Sequence, residues 1–348
     1  MGKIICYTSF TYSYLAKARL LAWSLKRFHP NWEFVALITD KEPEGFIFDI
    51  NNEPFDTVML GQELPIDNIE SWMFTHNIVE MCTAVKGKAL DILINSGADK
   101  VIYIDPDIAI FESLDPIVEL LNTNDIILTP HQLAPAKEDS EIMDTEISSL
   151  KHGIYNLGFV AINNKPEGKR FSKWWSDRLI DYCYDDTANG LFTDQRWCDH
   201  VPVFFDNVKI LKDPGYNVAS WNLSTRKFSI NEKGEILINN KYILRFYHFT
   251  KLGPVGEAMT ARYAQDNIEV YEVWNWYQKT LENKFTDETI PNKWWYFDLY
   301  KNGEKITQEM RTLYKNRNDV KAHFQNPYLS DSNSFEKWFE LEMKTVAI

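Results

Sequence analysis

The chain has 348 residues, 45% of them hydrophobic and 25% charged, with a formal net charge of −13. That is an ordinary globular composition with ample material for a core, and its acidic balance excludes a general nucleic-acid binder, whose footprint is a basic face. An anionic substrate is not excluded, because a bound divalent cation supplies local positive charge in compact form.

The 12 Trp, 17 Tyr and 21 Phe would suit stacking on sugar rings, but aromatics are used first for packing. Cys6, Cys82, Cys183 and Cys198 show no C-x-x-C spacing. Neither a zinc site nor a dithiol motif is signalled, and reduced, buried thiols in a cytoplasmic chain are expected. The N-terminus carries no signal-peptide pattern, and no apolar run approaches membrane-spanning length. Asn222-Leu223-Ser224 fits a glycosylation acceptor, with little weight in a chain lacking an export signal.

Ile4 to Tyr7 reads as a strand, Thr8-Ser9 as a turn, and Leu15, Ala18, Ala22 and Leu25 as the buried face of a helix. Phe34 to Thr39 is the next strand, so the chain opens with a βαβ unit whose crossover is right-handed. Lys41 to Pro65 is mainly loop around a short apolar piece at Thr57 to Leu60. Asn77 to Leu93 is helical, and Lys86 falls beside its buried stripe, where the plain reading is an exposed helix lysine.

Val101 to Ile104 has the apolar run of a strand buried mid-sheet, and it stops at Asp105-Pro106-Asp107. Side chains two apart on an extended chain face the same side, roughly 7 Å along from each other. Two carboxylates so placed suit Mg²⁺ or Mn²⁺, and the crevice beyond strand ends is where open α/β sheets bind ligands. The alternative is that the two acids cap a strand and open a turn. Asp115-Pro116 starts a helix and Ile126 to Leu128 is a strand, ending at Thr129-Pro130-His131, where His131 could hydrogen-bond a sugar. Ala134 to Glu146 is a polar loop, covering the site or merely solvated.

Gly153 to Asn163 is a strand interrupted by Asn156 and Gly158, and glycine in a strand often marks close approach by a ligand. Phe171, Trp174, Trp175, Leu179 and Tyr182 form a helical core stripe. Thr193 to Trp197 begins another helix, whose N-terminus Asp194 would stabilise. Asp213 to Asn217 is a turn. Glu235 to Phe249 is a hairpin turning at Asn239-Asn240, with Tyr242 to Tyr247 as its second strand. From Gly256 onward sheet signals stop, and Trp274, Trp276, Trp294, Trp295 and Tyr296 sit among helical and loop-like patterns.

The segment YIDPDIAIF, Tyr103 to Phe111, resembles the Asp-x-Asp strand end of GT-A fold nucleotide-sugar glycosyltransferases, especially the retaining family 8 enzymes and related bacterial surface-polysaccharide transferases. Asn156-x-Gly158, Asp194-Gln195, Tyr216-Asn217 and His248 follow in the same order as in that family. The resemblance implies a donor site at Tyr7, Thr8, Ser9, Lys86, Asp105 and Lys251, with a metal on Asp105, Asp107 and His248. It implies that Asn156 hydrogen-bonds sugar hydroxyls, that Gly158 leaves them room and that Tyr216 and Asn217 lie on the sugar side, beside the strand-end His131. It places Asp194 and Gln195, with Asn156 as the third catalytic residue, beside the anomeric carbon. Three departures stand out: the turn after the first strand has no acid, the glycine of the His-x-x-Gly segment is displaced to Gly253, and the usual Lys-Pro-Trp ending is absent.

The expectation is therefore an α/β, Rossmann-like GT-A domain over residues 1–255, a mixed central sheet flanked by helices, with a mainly helical extension over 256–348. The implied activity is Mn²⁺- or Mg²⁺-dependent transfer of a hexose from a nucleotide diphosphate sugar, UDP-sugar first. The acceptor is a glycan or lipid-linked glycan hydroxyl, and transfer proceeds with retention, in bacterial surface polysaccharide synthesis. The protein is expected to be cytoplasmic, free or peripheral at the inner membrane face. Alternatives are a nucleotidyltransferase, which would carry a Gly-rich basic phosphate loop that is not found here, and a catalytically silent glycan-binding protein.

Overall fold

The computed structural model describes residues 2–287, 290 and 295–346. Trp294, one of the aromatics expected in the extension, lies outside the described residues, as does the side chain of Trp295.

The chain opens with β1 (Ile4–Phe10), α1 (Leu15–Lys26), β2 (Glu33–Ile38) and β3 (Thr57–Leu60), the expected βαβ unit plus an edge strand. β1 runs on to Phe10, so Thr8 and Ser9 are strand residues and not a turn. A short α2 (Ile69–Phe74) precedes α3 (Ile78–Asn95). Asn77 starts α3 with a capping box: its side chain accepts from the N–H of Val79 and Glu80, and Glu80 returns a bond to the Asn77 N–H. β4 (Lys100–Ile104), β5 (Ile108–Ile110), α4 (Asp115–Leu120) and β6 (Ile126–Pro130) follow.

The segment read as a polar loop is largely helical. It holds α5 (Asp139–Glu141), a π turn at Ile142–Glu146 and α6 (Ile147–His152). β7 (Tyr155–Asn163) is continuous and buried throughout, without the expected break at Asn156 and Gly158; the irregularity falls in the register of its partner β6, between Leu128 and Pro130. Then come α7 (Pro166–Tyr182), β8 (Asp185–Asp186), β9 (Leu191–Phe192), α8 (Val201–Phe204) and β10 (Val208–Ile210). β11 (Val218–Ala219), β12 (Phe228–Ile230), β13 (Ile236–Ile238), β14 (Tyr242–Ile243) and β15 (Phe246–His248) complete the strands. The hairpin of β13 and β14 turns at Asn239 and Asn240, both at positive φ, as a tight turn requires. The run expected as one strand, Tyr242 to Tyr247, is split between two sheets.

The main sheet has the order β10-β6-β7-β4-β1-β2-β3, and only β7 runs antiparallel to its neighbours. This mixed sheet with helices on both faces is the fold class expected from the sequence. On one face α3 and α7 pack closely enough that a Cβ on Gly87 would stand 2.8 Å from the Ser176 backbone. On the other, α1 and α4 cover Cys6, Phe34 and Ile102. The free cysteines Cys6, Cys183 and Cys198 are buried.

A second sheet, β11-β15-β5, positions the site. β5 leaves the end of β4 through Asp105-Pro106-Asp107 and pairs antiparallel with β15, setting His248 opposite Ile108; the Phe249 N–H donates to the Asp107 carbonyl at 2.8 Å.

α9 (Pro254–Ala264) and α10 (Ile268–Thr280) pack under that sheet, with Trp274 donating to the Tyr247 hydroxyl and Tyr277 stacked on Phe249. α11 (Trp295–Asp298), α12 (Gln308–Asn316), α13 (Asn318–His323) and α14 (Phe335–Val346) join the core beside α2. There Phe74 meets the edges of Tyr314, Tyr328 and Phe335, and Arg311 donates to the carbonyls of Phe74 and His76. Packing is the main use of these aromatics. Among the described residues no helix is long and apolar enough to cross a membrane.

Candidate metal and sugar site

Asp105, Asp107 and His248 converge although about 140 residues separate the acids from the histidine. Each offers one ligand atom, and these atoms lie within 4.8 Å of one another. His248 Nε2 is 3.0 Å from Asp107 Oδ1 and 3.7 Å from Asp105 Oδ2. Three donors around one octahedral cation at about 2.1 Å would stand about 3 Å apart, so little movement separates this cluster from a ligand set.

The hydrogen bonds around His248 test that fit. Asn156 Oδ1 accepts from the Gly158 N–H and from the Asn217 amide, which fixes which end of the Asn156 amide is oxygen. His248 Nδ1, 3.2 Å from the same oxygen, is therefore the protonated nitrogen. In a neutral ring Nε2 then turns a lone pair towards two carboxylates, an arrangement that calls for a cation between them. Without one, a second proton serves: burial favours the neutral ring, but Asp107 and Asp105 outweigh it and raise the His248 pKa. Burial likewise works to raise Asp107, and the facing imidazole holds it below the usual carboxylate range. The donor set of two carboxylates and an imidazole held by its second nitrogen suits Mn²⁺ or Mg²⁺, with imidazole favouring the former.

Gly158 makes the convergence possible. A Cβ there would stand 2.6 Å from His248 Cε1 and 2.9 Å from Asp105 Oδ2. The close approach at this glycine is made by the side chains of His248, Asn156 and Asp105.

Lys86 overturns the reading of an exposed helix lysine. Buried on α3, its ammonium lies 3.0 Å from Asp105 Oδ1, 2.9 Å from Asp194 Oδ2 and 3.3 Å from the Leu157 carbonyl. Its three protons are directed inward at these groups. Burial opposes the ammonium, but the two aspartates more than offset it and raise the pKa. Asp194 does not cap a helix. It is buried against Lys86; burial raises its pKa and Lys86 pulls back against that rise.

Two cavities flank the cluster. One of about 260 Å³ is lined by Ser9, Tyr14, Ile78, Cys82, Lys86, Asp105 and Asp107. The other, about 460 Å³, is lined by His131, His152, Asn156, Gln195, Trp221 and Lys251, together with Asp144, Thr145, Ser148, Ser149 and Met259 of α9. Gln195 donates to the His152 carbonyl. Thr8 and Ser9 are buried with hydroxyls that find no hydrogen-bond partner among the described residues, and Tyr7 donates to the Lys86 carbonyl.

Not every expected sugar contact faces a cavity. Tyr216 is a core residue, its ring packed edge-on against Phe246. Asn217, fully buried at positive φ, holds Asn156 and Thr129. Asn222 is buried too, donating to the carbonyls of His131 and Asn217, so it is no surface glycosylation acceptor.

The sequence reading missed Tyr103, whose hydroxyl donates to Asp105 Oδ1, and Trp221, whose ring meets the edges of His131 and His248. The period of two along β4 could have found Tyr103; no local signal marks Trp221.

His131 is held neutral, its Nδ1 on the Ile154 carbonyl and its Nε2 facing the Asn156 amide; burial pushes its pKa down to about 4. Burial does the same to His29, to about 4, and to His76, to about 3. Unfolding returns each to about 6.5, so the unfolded chain binds more protons between pH 6.5 and 4. Stability is expected to fall as pH falls through that window, by up to about 1.4 kcal/mol per pH unit for each histidine. The raised pKa of His248 acts above pH 6.5, outside it. Thermal midpoints between pH 7 and 4.5 check this, and a flat profile contradicts it.

Residues 76–235 match the family model described as glycosyl transferase family 8. The match covers a little under half of the chain. The matched region contains Lys86, Asp105, Asp107, Asn156, Gly158, Asp194, Gln195 and Asn217, and ends before His248 and Lys251. The chain is 29% identical to Uncharacterized protein YfnF of Bacillus subtilis (strain 168) over 185 residues, 51% of this chain and 58% of that protein. With Uncharacterized protein YfnD of the same strain it shares 31% over 100 residues, 28% of this chain and 32% of that protein. The matched part thus spans less than two thirds of either relative. Among solved structures, galactosyltransferase LgtC in complex with donor and acceptor sugar analogs is similar over 82% of this chain and 98% of that one, at 15% identity and a TM-score of 0.49.

Proposed function

We propose that the chain is a metal-dependent glycosyltransferase that moves a hexose from a nucleotide diphosphate sugar, with UDP-sugar as the first candidate, to a glycan or lipid-linked glycan hydroxyl. The observation that carries this reading is the convergence of Asp105, Asp107 and His248 between two cavities, with the second nitrogen of His248 held by Asn156. When bound there, Mn²⁺ or Mg²⁺ would neutralise the charge of the departing diphosphate.

The smaller cavity takes the nucleoside, where the Ser9 hydroxyl, without a partner among the described residues, offers a hydrogen bond. The larger takes the sugar and acceptor, where His131, Asn156, Gln195 and Trp221 combine polar groups with an aromatic face. Lys251 stands at its rim for the diphosphate, whereas Lys86 serves the donor through Asp105 and Asp194. Residues 256–348 act as an extension that completes the core, with α9 also walling the acceptor side. The protein works in bacterial surface polysaccharide synthesis, in the cytoplasm or at the inner membrane face.

Transfer proceeds with retention. An inverting route needs a general base, for which Asp194 or His152 would have to serve, and Asp194, the acid beside the expected sugar position, is buried and ion-paired with Lys86. A retaining front-face route needs no such base, because the leaving phosphate takes the acceptor proton. NMR of the fresh product should show the donor's anomeric configuration preserved; an inverted product refutes this stereochemical assignment.

A further inference from the structure

We infer that Tyr103 is a positioning residue for the metal site: together with Lys86 it holds one oxygen of Asp105, so that the other is presented beside Asp107 and His248. The inference rests on the metal-dependent reading above.

Tyr103 lies two residues before Asp105 on β4 and faces the same side. Its buried hydroxyl donates to Asp105 Oδ1 at 2.5 Å, and Lys86 Nζ reaches the same oxygen at 3.0 Å. Oδ2 is the oxygen turned to His248 Nε2. The two oxygens therefore have separate work.

The division matters because a carboxylate at a strand end rotates broadly about its last torsion and can present either oxygen, or both, to a cation. Two donors on Oδ1, each strengthened by charge, settle that choice before the metal arrives. Tyr103 is the partner dedicated to this task, since Lys86 also serves Asp194. Its ring is held in turn by the edge of Tyr7, at 4.9 Å between centroids, and by the Lys86 ammonium 4.3 Å above it. The ring remains in Tyr103→Phe and only the hydroxyl is lost.

The test is titration of Mn²⁺ alone into the full chain, followed by calorimetry, for wild type, Tyr103→Phe and Tyr314→Phe. Tyr314 is a buried tyrosine far from the acids whose hydroxyl bonds Ser71. In Tyr103→Phe the Mn²⁺ dissociation constant should rise about tenfold or more, as for other lost partners of metal ligands. Tyr314→Phe should bind Mn²⁺ like wild type while matching or exceeding the loss of thermal stability. Wild-type affinity in Tyr103→Phe, or equal weakening in both variants, overturns the inference. If Tyr103→Phe does not fold, the wild type carries the test: Mn²⁺ must then produce a near-ultraviolet tyrosine difference spectrum, and its absence overturns the role. Wild type that binds no Mn²⁺, even with nucleoside diphosphate present, defeats the metal reading itself.

Discussion

Asp107→Ala is expected to abolish sugar transfer and to remove Mn²⁺-dependent binding of nucleoside diphosphate, while the protein stays folded. Asp107 is the acid in contact with His248, and its backbone carbonyl, which pins β15 through Phe249, survives the substitution. The remaining donors would be Asp105, already shared with Lys86 and Tyr103, and an imidazole without its strongest counter-charge. A loss of a hundredfold or more in metal affinity, about 2.7 kcal/mol, is the scale to look for. Transfer assays with Mn²⁺ in excess, beside circular dichroism of the same preparation, measure it. Full activity in a folded Asp107→Ala would remove this acid from the site.

Lys86→Ala should produce the largest loss of stability of any single change near the site. It leaves Asp194 buried without its cation and takes one of two partners from Asp105 Oδ1. Breaking a buried pair by removing one partner costs about 3–5 kcal/mol, because the other charge stays behind in a poor solvent. Adding Asp194→Asn removes that stranded charge, so the double variant should regain part of the stability lost in Lys86→Ala. Urea denaturation of the two variants decides this; a Lys86→Ala protein as stable as wild type would show that the triad does not act as a buried ion cluster.

How far the sequence was legible depends on how local each signal was. The first βαβ unit, α3 with its Asn77 cap, the apolar β4 and the Asp105-x-Asp107 strand end follow from periods and caps that act within a few residues. The Asn239-Asn240 turn is equally local. What failed was set by distant partners. Tyr242 to Tyr247 reads as one strand, but β5 draws its second half into another sheet. The stretch from Ala134 to Glu146 is polar enough to pass for loop, yet from Asp139 onward it is helical and clasped by Tyr263 and Arg262 of α9 through Asp144. Lys86 and Asp194 look like a surface lysine and a helix-end acid until the fold buries them against each other. His248 reached the acids through family resemblance alone, because the pairing of β15 with β5 has no marker in either segment. Tyr216, taken from the same resemblance, belongs to the core.

The central claim is that Asp105, Asp107 and His248 form a cation site on which donor binding depends. Calorimetric titration of nucleoside diphosphates, UDP first, into wild-type protein tests it most directly, once with Mn²⁺ and once with a chelator. Saturable binding with Mn²⁺ that disappears in the chelator is the predicted result. Binding of equal strength in both would contradict the account.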